Sequence, residues 1–396
     1  MSMRNNYKQT ILSCFTGYIV QAIVNNFLPL LFLTFQRTYD IPLSKITLLV
    51  TFNFLVQLVV DLVSAGFVDK IGYRVCLVMA DILSAAGFIL LAFLPEILPS
   101  PFIGILICVT LYAIGGGLME VLISPVVEAC PSDNKEGMMS LLHSFYCWGH
   151  VGVVLISTIF FKVFGIDNWK WMSILWAIVP LWNAWCFTQV PVPTLIAEGE
   201  KGMSLGELFR TRVFWLLLML MLCAGASEQA VSQWASTFAE KGLGISKAAG
   251  DLAGPMMFAI LMGTARALYG KYSEKVNTDR FIVLSAILCV LAYLGISLIQ
   301  IPVVSLAFCG ITGFSVGIMW PGIFSKAAVH LPKGGTALFA LLALAGDAGC
   351  SSGPTLVGLV SSAAGGNLRT GILAAIIFPV LFIVGNLALH KPEKGN

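Results

Sequence analysis

The stretch FIGILICVTLYAIGGGLMEVLISPV, residues 102–126, decides how this chain is to be read. It contains no Lys, Arg or Asp and a single Glu, Glu120. A helix of about 20 apolar residues crosses a ~30 Å hydrocarbon core. The stretch is long enough to do so, and it lacks the every-second-residue alternation of a barrel strand. Eleven more runs of the same kind surround it: 8–35, 46–67, 75–94, 138–162, 170–188, 213–238, 249–270, 280–299, 302–325, 336–360 and 370–389. Across the chain 58% of residues are hydrophobic and 11% are charged. A soluble core would not need a dozen such runs. The expected fold is an all-α membrane protein with twelve transmembrane helices, because in lipid only a helix or a closed barrel satisfies its own backbone.

Charge sets the expected orientation. With the N-terminus inside, fifteen Lys and Arg residues fall in cytoplasmic segments and seven on the opposite side, so both termini are expected in the cytoplasm. The first run is too long for the apolar part of a signal peptide and lacks a small-residue cleavage site, so it is expected to remain as a helix. A multi-pass plasma-membrane protein, a bacterial inner-membrane one, is the corresponding localisation. The net charge of +3 suggests no nucleic-acid partner. The ten cysteines lie mostly inside the runs without CxxC spacing, which reads as small packing residues; no metal site is expected.

The runs split six and six around a polar stretch, which gives an expected N-terminal bundle at 1–188, a cytoplasmic linker at 189–212 and a C-terminal bundle at 213–396. The halves resemble each other at an offset of about 200 residues. Gly17, Gln21 and Ala22 match Gly225, Gln229 and Ala230. Gly117 and Met119 match Gly317 and Met319, and Leu141, Leu142 and Gly149 match Leu341, Leu342 and Gly349. Such repeats build two pseudo-symmetric six-helix bundles around an axis along the membrane normal, with a cavity between them.

Polar residues inside the runs are the functional candidates, since a charge at mid-bilayer costs roughly 2.5–3.5 kcal/mol on insertion scales. Glu120 follows three glycines that let a neighbouring helix approach, and it is read as a proton-coupling carboxyl, with a hydrogen-bonded structural carboxyl as the alternative. In the fifth run His143, Tyr146, Cys147 and His150 form one helical stripe that could bind a polar solute, relay a proton or simply join helices. In the seventh run Glu228, Gln229, Ser232, Gln233 and Trp234 combine a carboxyl, amides and an indole. That set suits a polyol, because amides donate and accept while an aromatic face covers a sugar's C–H surface. Glu228 is thus both a substrate-binding and a second proton-coupling candidate. Trp320 is a further wall, and Trp169, Trp171 and Trp185 read as interface anchors. Asn53, Gln57 and Asp61 form a stripe on the second run. Asp61, Asp81 and Asp347 are expected to pair at helix ends or between bundles. Arg266 lies about a turn from its expected helix end and is expected to snorkel.

The loop Gly66-Phe-Val-Asp69-Lys70-Ile-Gly72-Tyr-Arg74, with a partial copy at Gly270-Lys-Tyr-Ser-Glu274-Lys275, resembles the loop signature of the major facilitator superfamily, G-x-x-x-D-[RK]-x-G-x-[RK]. The resemblance implies that Asp69, Lys70, Arg74, Glu274 and Lys275 gate the transporter through ion pairs; the alternative is that they are ordinary loop charges. The segment Gly115–Gly149 resembles the fucose permease branch, where helix 4 carries G-x-x-E before x-x-x-N-P and helix 5 carries L-x-Q-x-F-N-x-x-G. Here these read Gly117-Leu-Met-Glu120 before Ser124-Pro125, and Leu141-Leu-His143-Ser-Phe145-Tyr146-Cys-Trp-Gly149. By position, Glu120 takes the proton-linked carboxylate, His143 the Gln, and Tyr146 the substrate-binding Asn. The first helix offers Gln21, Asn25 and Asn26 where the permease has a carboxylate. The implied function is proton-coupled sugar uptake by alternating access, by a monomer without cofactor that draws on the proton gradient. A drug or metabolite exporter on the same fold is the alternative. An anion carrier would need a central cation. An intramembrane aspartyl hydrolase lacks a second membrane Asp motif, and there is no P-loop for ATP.

Overall fold

The computed structural model describes residues 6–196, 202–236, 239–240 and 244–389. Arg4, Lys201, Lys241, Lys391 and Lys394, which enter the charge asymmetry, lie outside the described residues, as does part of the expected linker. Twelve long helices follow one another: α1 (Tyr7–Asn26), α2 (Leu43–Ile71), α3 (Tyr73–Leu91), α4 (Pro101–Ala129), α5 (Lys135–Phe164), α6 (Trp169–Gln189), α7 (Arg212–Ser232), α8 (Lys247–Tyr272), α9 (Thr278–Leu298), α10 (Pro302–His330), α11 (Gly335–Ala363) and α12 (Leu368–Ala388). Among the described residues, ten helices are long and apolar enough to cross a membrane; α6, rich in Trp, and α8 are the two long helices outside that set.

Compactness divides the chain into two units: Met1–Pro131 with Trp148–Glu198, and Ser132–Cys147 with Gly199–Asn396. The first half of α5 therefore packs with the second unit. Short helices start where capping chemistry allows. The helix Leu205–Arg210 opens on a capping box, in which Ser204 Oγ accepts the Glu207 N–H and the Glu207 carboxylate accepts the Ser204 N–H. That hydrogen bond holds the Glu207 carboxyl below the usual carboxylate range.

Several of the expected spans are interrupted, the first and tenth most clearly. The first helix ends at Asn26 rather than near residue 35, and a 3-10 turn, Leu28–Leu31, leads into a separate helix, Phe32–Tyr39. Pro29 in that turn has no N–H to continue an α-helical ladder. The tenth is broken between Val316 and Met319. Pro321 lies four residues after Gly317, so it removes the N–H that the Gly317 carbonyl would otherwise accept and presses its ring on that carbonyl. Between α2 and α3 a single residue, Gly72, makes the whole reversal with φ +96°. The segment read as a loop from Gly66 is helical as far as Ile71.

The glycines matched between the two halves are close-packing positions. A Cβ on Gly17 of α1 would lie 2.4 Å from Ile123 of α4, and one on Gly149 of α5 would lie 2.8 Å from Ala22 of α1. In the second unit a Cβ on Gly225 of α7 would meet the Gly346 carbonyl of α11 at 2.2 Å, and one on Gly349 would meet the Leu222 carbonyl at 2.0 Å. Without a hydrophobic drive between helices in lipid, such small residues let backbones touch and gain dispersion contact.

Candidate functional site

Each unit carries its own polar set. In the first, α4 is an interior helix: from Gly115 to Glu128 every residue except Glu120 is buried, and Glu120 is half-buried. The glycines before it open one side of the helix. Val60 and Gln57 of α2 pack on Gly117 and Gly116, and Val24 of α1 also reaches Gly116. On the same face, Gln21 Nε2 of α1 donates to Glu120 Oε2 at 2.5 Å, and Tyr18 and Ser124 share a hydrogen bond of 3.1 Å. One turn along α1, Asn25 Oδ1 accepts from Asn53 Nδ2 at 3.0 Å and from Gln57 Nε2 at 2.8 Å, both on α2. Gln21, Asn25 and Glu120 are therefore brought together, and Asn53 and Gln57, not assigned to a site from sequence, join them. Gln21 is 3% exposed, and its Oε1 is buried with no hydrogen-bond partner among the described residues. Asn26 differs: its Nδ2 is spent on the Ala22 carbonyl of its own helix. Asp81 binds Asn183 of α6, a structural pair.

The second unit collects the other candidates around Arg266 of α8. This residue is 3% exposed and does not snorkel; the sequence reading placed it one turn from the end of a span that in fact continues to Tyr272. Its guanidinium donates from Nε to the Gly317 carbonyl at 2.9 Å and from Nη1 to the His143 carbonyl at 3.2 Å and Cys147 Sγ at 3.3 Å. Nη2 pairs with Glu228 Oε2 at 3.4 Å. Gln229 Nε2 approaches the other Glu228 oxygen at 3.5 Å. The His143 ring is buried and stacks on Phe324 of α10, which stacks in turn on Phe339 of α11. Trp320 lies edge-on to Phe324, and its indole presses on Gly346 so closely that a Cβ there would sit 2.1 Å away. Tyr146 is half-buried one turn along α5. Gln233 is the C-cap residue of α7, still in helical conformation with its N–H on the Gln229 carbonyl, and its side chain is exposed. Trp234 follows in the same turn, with its Nε1 buried and without a partner. His150 lies further along α5, in the first unit.

The expected gating residues are exposed. Asp69 and Lys70 end α2, while Arg74 at the start of α3 donates to the Phe187 and Thr188 carbonyls at the C-terminus of α6. There its charge complements the negative end of the helix dipole. Lys275 lies over the Tyr272 ring, beside Glu274. Two polar clusters in the second unit were not read from sequence. Lys326, counted as a loop charge, is buried in α10 and pairs with Asp279 at 2.8 Å and with Asn386. Glu136 at the start of α5 accepts from Tyr269 and Thr278. The signal available for Lys326 was the continuation of α10 beyond residue 325.

No curated protein matches the chain. Solved structures do. A crystal structure of the E. coli fucose:proton symporter FucP superposes with a TM-score of 0.81 at 16% identity, over 98% of this chain and 100% of that one. The proton:xylose symporter XylE bound to 6-bromo-6-deoxy-D-glucose gives 0.79 at 12% identity, over 96% and 94%. At these identities the likeness is one of fold. The family model described as Major Facilitator Superfamily matches residues 10–354, nearly the whole run of helices, and the chain belongs to that superfamily of membrane transporters.

Proposed function

We propose that this transporter is a proton-coupled importer of a small uncharged polar solute, a sugar or similar polyol, working by alternating access of two six-helix bundles. The carrying observation is Glu120: a half-buried carboxyl two turns and more inside the buried helix α4, held by the Gln21 amide and followed one turn later by a Tyr18–Ser124 hydrogen bond. A carboxyl in that setting can gain and lose a proton, while an amide neighbour accommodates both forms. In the first unit the amides of Gln21 and Asn25, and in the second the Gln229 amide with Tyr146, His143 and the Trp320 and Trp234 indoles, are the kinds of donors, acceptors and flat apolar surfaces that a polyol requires. The unpartnered Gln21 Oε1 and Trp234 Nε1 favour a ligand that both donates and accepts. The solved structures of similar fold include sugar:proton symporters, which supports the same reading. Placement in a bacterial inner membrane with both termini cytoplasmic, and gating by Asp69, Lys70, Arg74, Glu274 and Lys275, belong to this proposal.

Uptake of a panel of labelled sugars into proteoliposomes, with and without an imposed pH gradient, tests it. Glu120→Gln keeps the hydrogen bond to Gln21 but cannot release a proton. It is expected to abolish gradient-driven accumulation while leaving counterflow exchange, which needs no net proton movement. Accumulation preserved in Glu120→Gln would make Glu120 structural.

A further inference from the structure

Arg266 is the one cation seen deep among the candidate binding residues of the second unit, and its donors are already committed. Nε serves the Gly317 carbonyl, Nη1 serves the His143 carbonyl and Cys147 sulfur, and Nη2 serves Glu228. Two of these acceptors have a local reason to need it. Pro321 deprives the Gly317 carbonyl of its helical donor at the break in α10. In lipid such a freed carbonyl must be satisfied by a neighbouring helix. Glu228 is mostly withdrawn from solvent, its side chain 14% exposed, and a carboxylate so placed needs a paired charge. The contact is also reciprocal, because Ser140 of α5 donates to the Arg266 backbone carbonyl at 2.8 Å. The approach is close: a Cβ on Gly270 of α8 would lie 3.0 Å from the Gly137 carbonyl of α5.

We propose that Arg266 is the positioning residue of the solute-binding face in the second unit, and that this face recognises an uncharged solute. The inference rests on the reading of His143, Tyr146, Glu228, Gln229 and Trp320 as binding residues. Each belongs to a segment that the guanidinium holds. His143 is tied by its own carbonyl, and Tyr146 lies three residues on along α5. Glu228 is tied directly with Gln229 beside it, and Trp320 follows the held Gly317 on α10. A planar fork with five N–H groups can serve acceptors from three helices at once, and an ammonium cannot reproduce that geometry. Because Glu228 neutralises the cation, the face carries no net charge from this pair. A solute anion would have to displace Glu228 from Arg266, whereas hydroxyls can add to the remaining Glu228 and Gln229 sites.

Two readouts test this. The first uses the sugar that the panel shows to be transported. Arg266→Lys is expected to raise its apparent KM at least tenfold while the saturating rate per folded protein stays within threefold. A merely structural loss would lower the amount of active protein and leave KM alone, so a KM within twofold of the parent overturns the proposal. The second does not depend on the solute. In a chain whose other nine cysteines are replaced by Ser or Ala, Cys147 is expected to react with N-ethylmaleimide at least tenfold faster in Arg266→Lys, because the fork no longer covers its sulfur or holds α5. An unchanged rate overturns the tie. If Arg266→Lys does not fold, Glu228→Gln/Arg266→Gln leaves no lone buried charge and carries the same expected rise in reactivity, with the same overturning result. If no sugar in the panel is transported but Cys147 becomes reactive as expected, the sugar reading fails while the positioning role of Arg266 stands.

Discussion

Gly72 shows how far one residue can carry a fold. It alone joins α2 to α3, at φ +96° and ψ 141°, a conformation that an L side chain adopts at a cost on the order of 1–3 kcal/mol. A Cβ there would meet nothing within 4 Å, so the penalty is one of backbone strain and not of contact. Gly72→Ala and Gly72→Asn are therefore both expected to fold with a lower thermal midpoint in detergent, because at ψ 141° the residue lies outside the left-handed region that Asn tolerates. Equal midpoints for Gly72→Ala and the parent would show that the reversal can be made with negative φ. The same scale separates legible residues from hidden ones. Glu120 stood out because it is the only charged side chain in a 25-residue apolar run. Arg266 did not, because an Arg near the end of a span is ordinarily free to reach the interface, and only its contacts with Gly317, His143, Cys147 and Glu228 make it interior.

At the scale of elements, small residues set the distances between helices and prolines decide where helices break. The α7–α11 contact depends on Gly225, Gly346 and Gly349, with backbone carbonyls facing glycine Cα atoms across the interface. Gly349→Leu has no flexible neighbour to displace: its Cβ would sit 2.0 Å from the Leu222 carbonyl. It is expected to prevent accumulation of folded protein, measured as the monodisperse fraction after extraction. Gly358→Leu on the same helix, with nothing within 4 Å of its Cβ, is expected to leave that fraction unchanged. A normal yield of Gly349→Leu would mean that α7 and α11 can separate without loss of the fold. The interruption of α10 follows from Pro321, yet not every helical proline does this. Pro125 sits within a continuous α4. Whether a proline breaks or merely strains a helix depends on who satisfies the freed carbonyl, and for Gly317 that partner is Arg266, 51 residues away in sequence.

For the whole molecule, the excess of Lys and Arg in alternate connections predicts one topology. With tags at both ends, the N- and C-terminal tags are expected to resist protease in intact bacterial spheroplasts and to be cleaved after permeabilisation. Cleavage of either tag in intact spheroplasts would overturn the assignment of both termini to the cytoplasm.

By itself the sequence determined the class of molecule: a family of long apolar helices with short basic connections, repeated once at an offset of about 200 residues. It could do so because a bilayer forces each segment to satisfy its own backbone, so length and hydropathy speak for each helix separately. It also marked Glu120 and the glycines that touch neighbouring backbones. Only the tertiary structure decided which polar side chains meet. Gln21 and Glu120, Asn25 and Gln57, and Arg266 with Glu228, His143 and Gly317 lie 32 to 123 residues apart in the chain. Their contacts depend on the rotation of each helix about its axis and on where it actually ends. A few degrees or one turn separates a side chain facing lipid from one facing a partner, and no local pattern of residues encodes that difference.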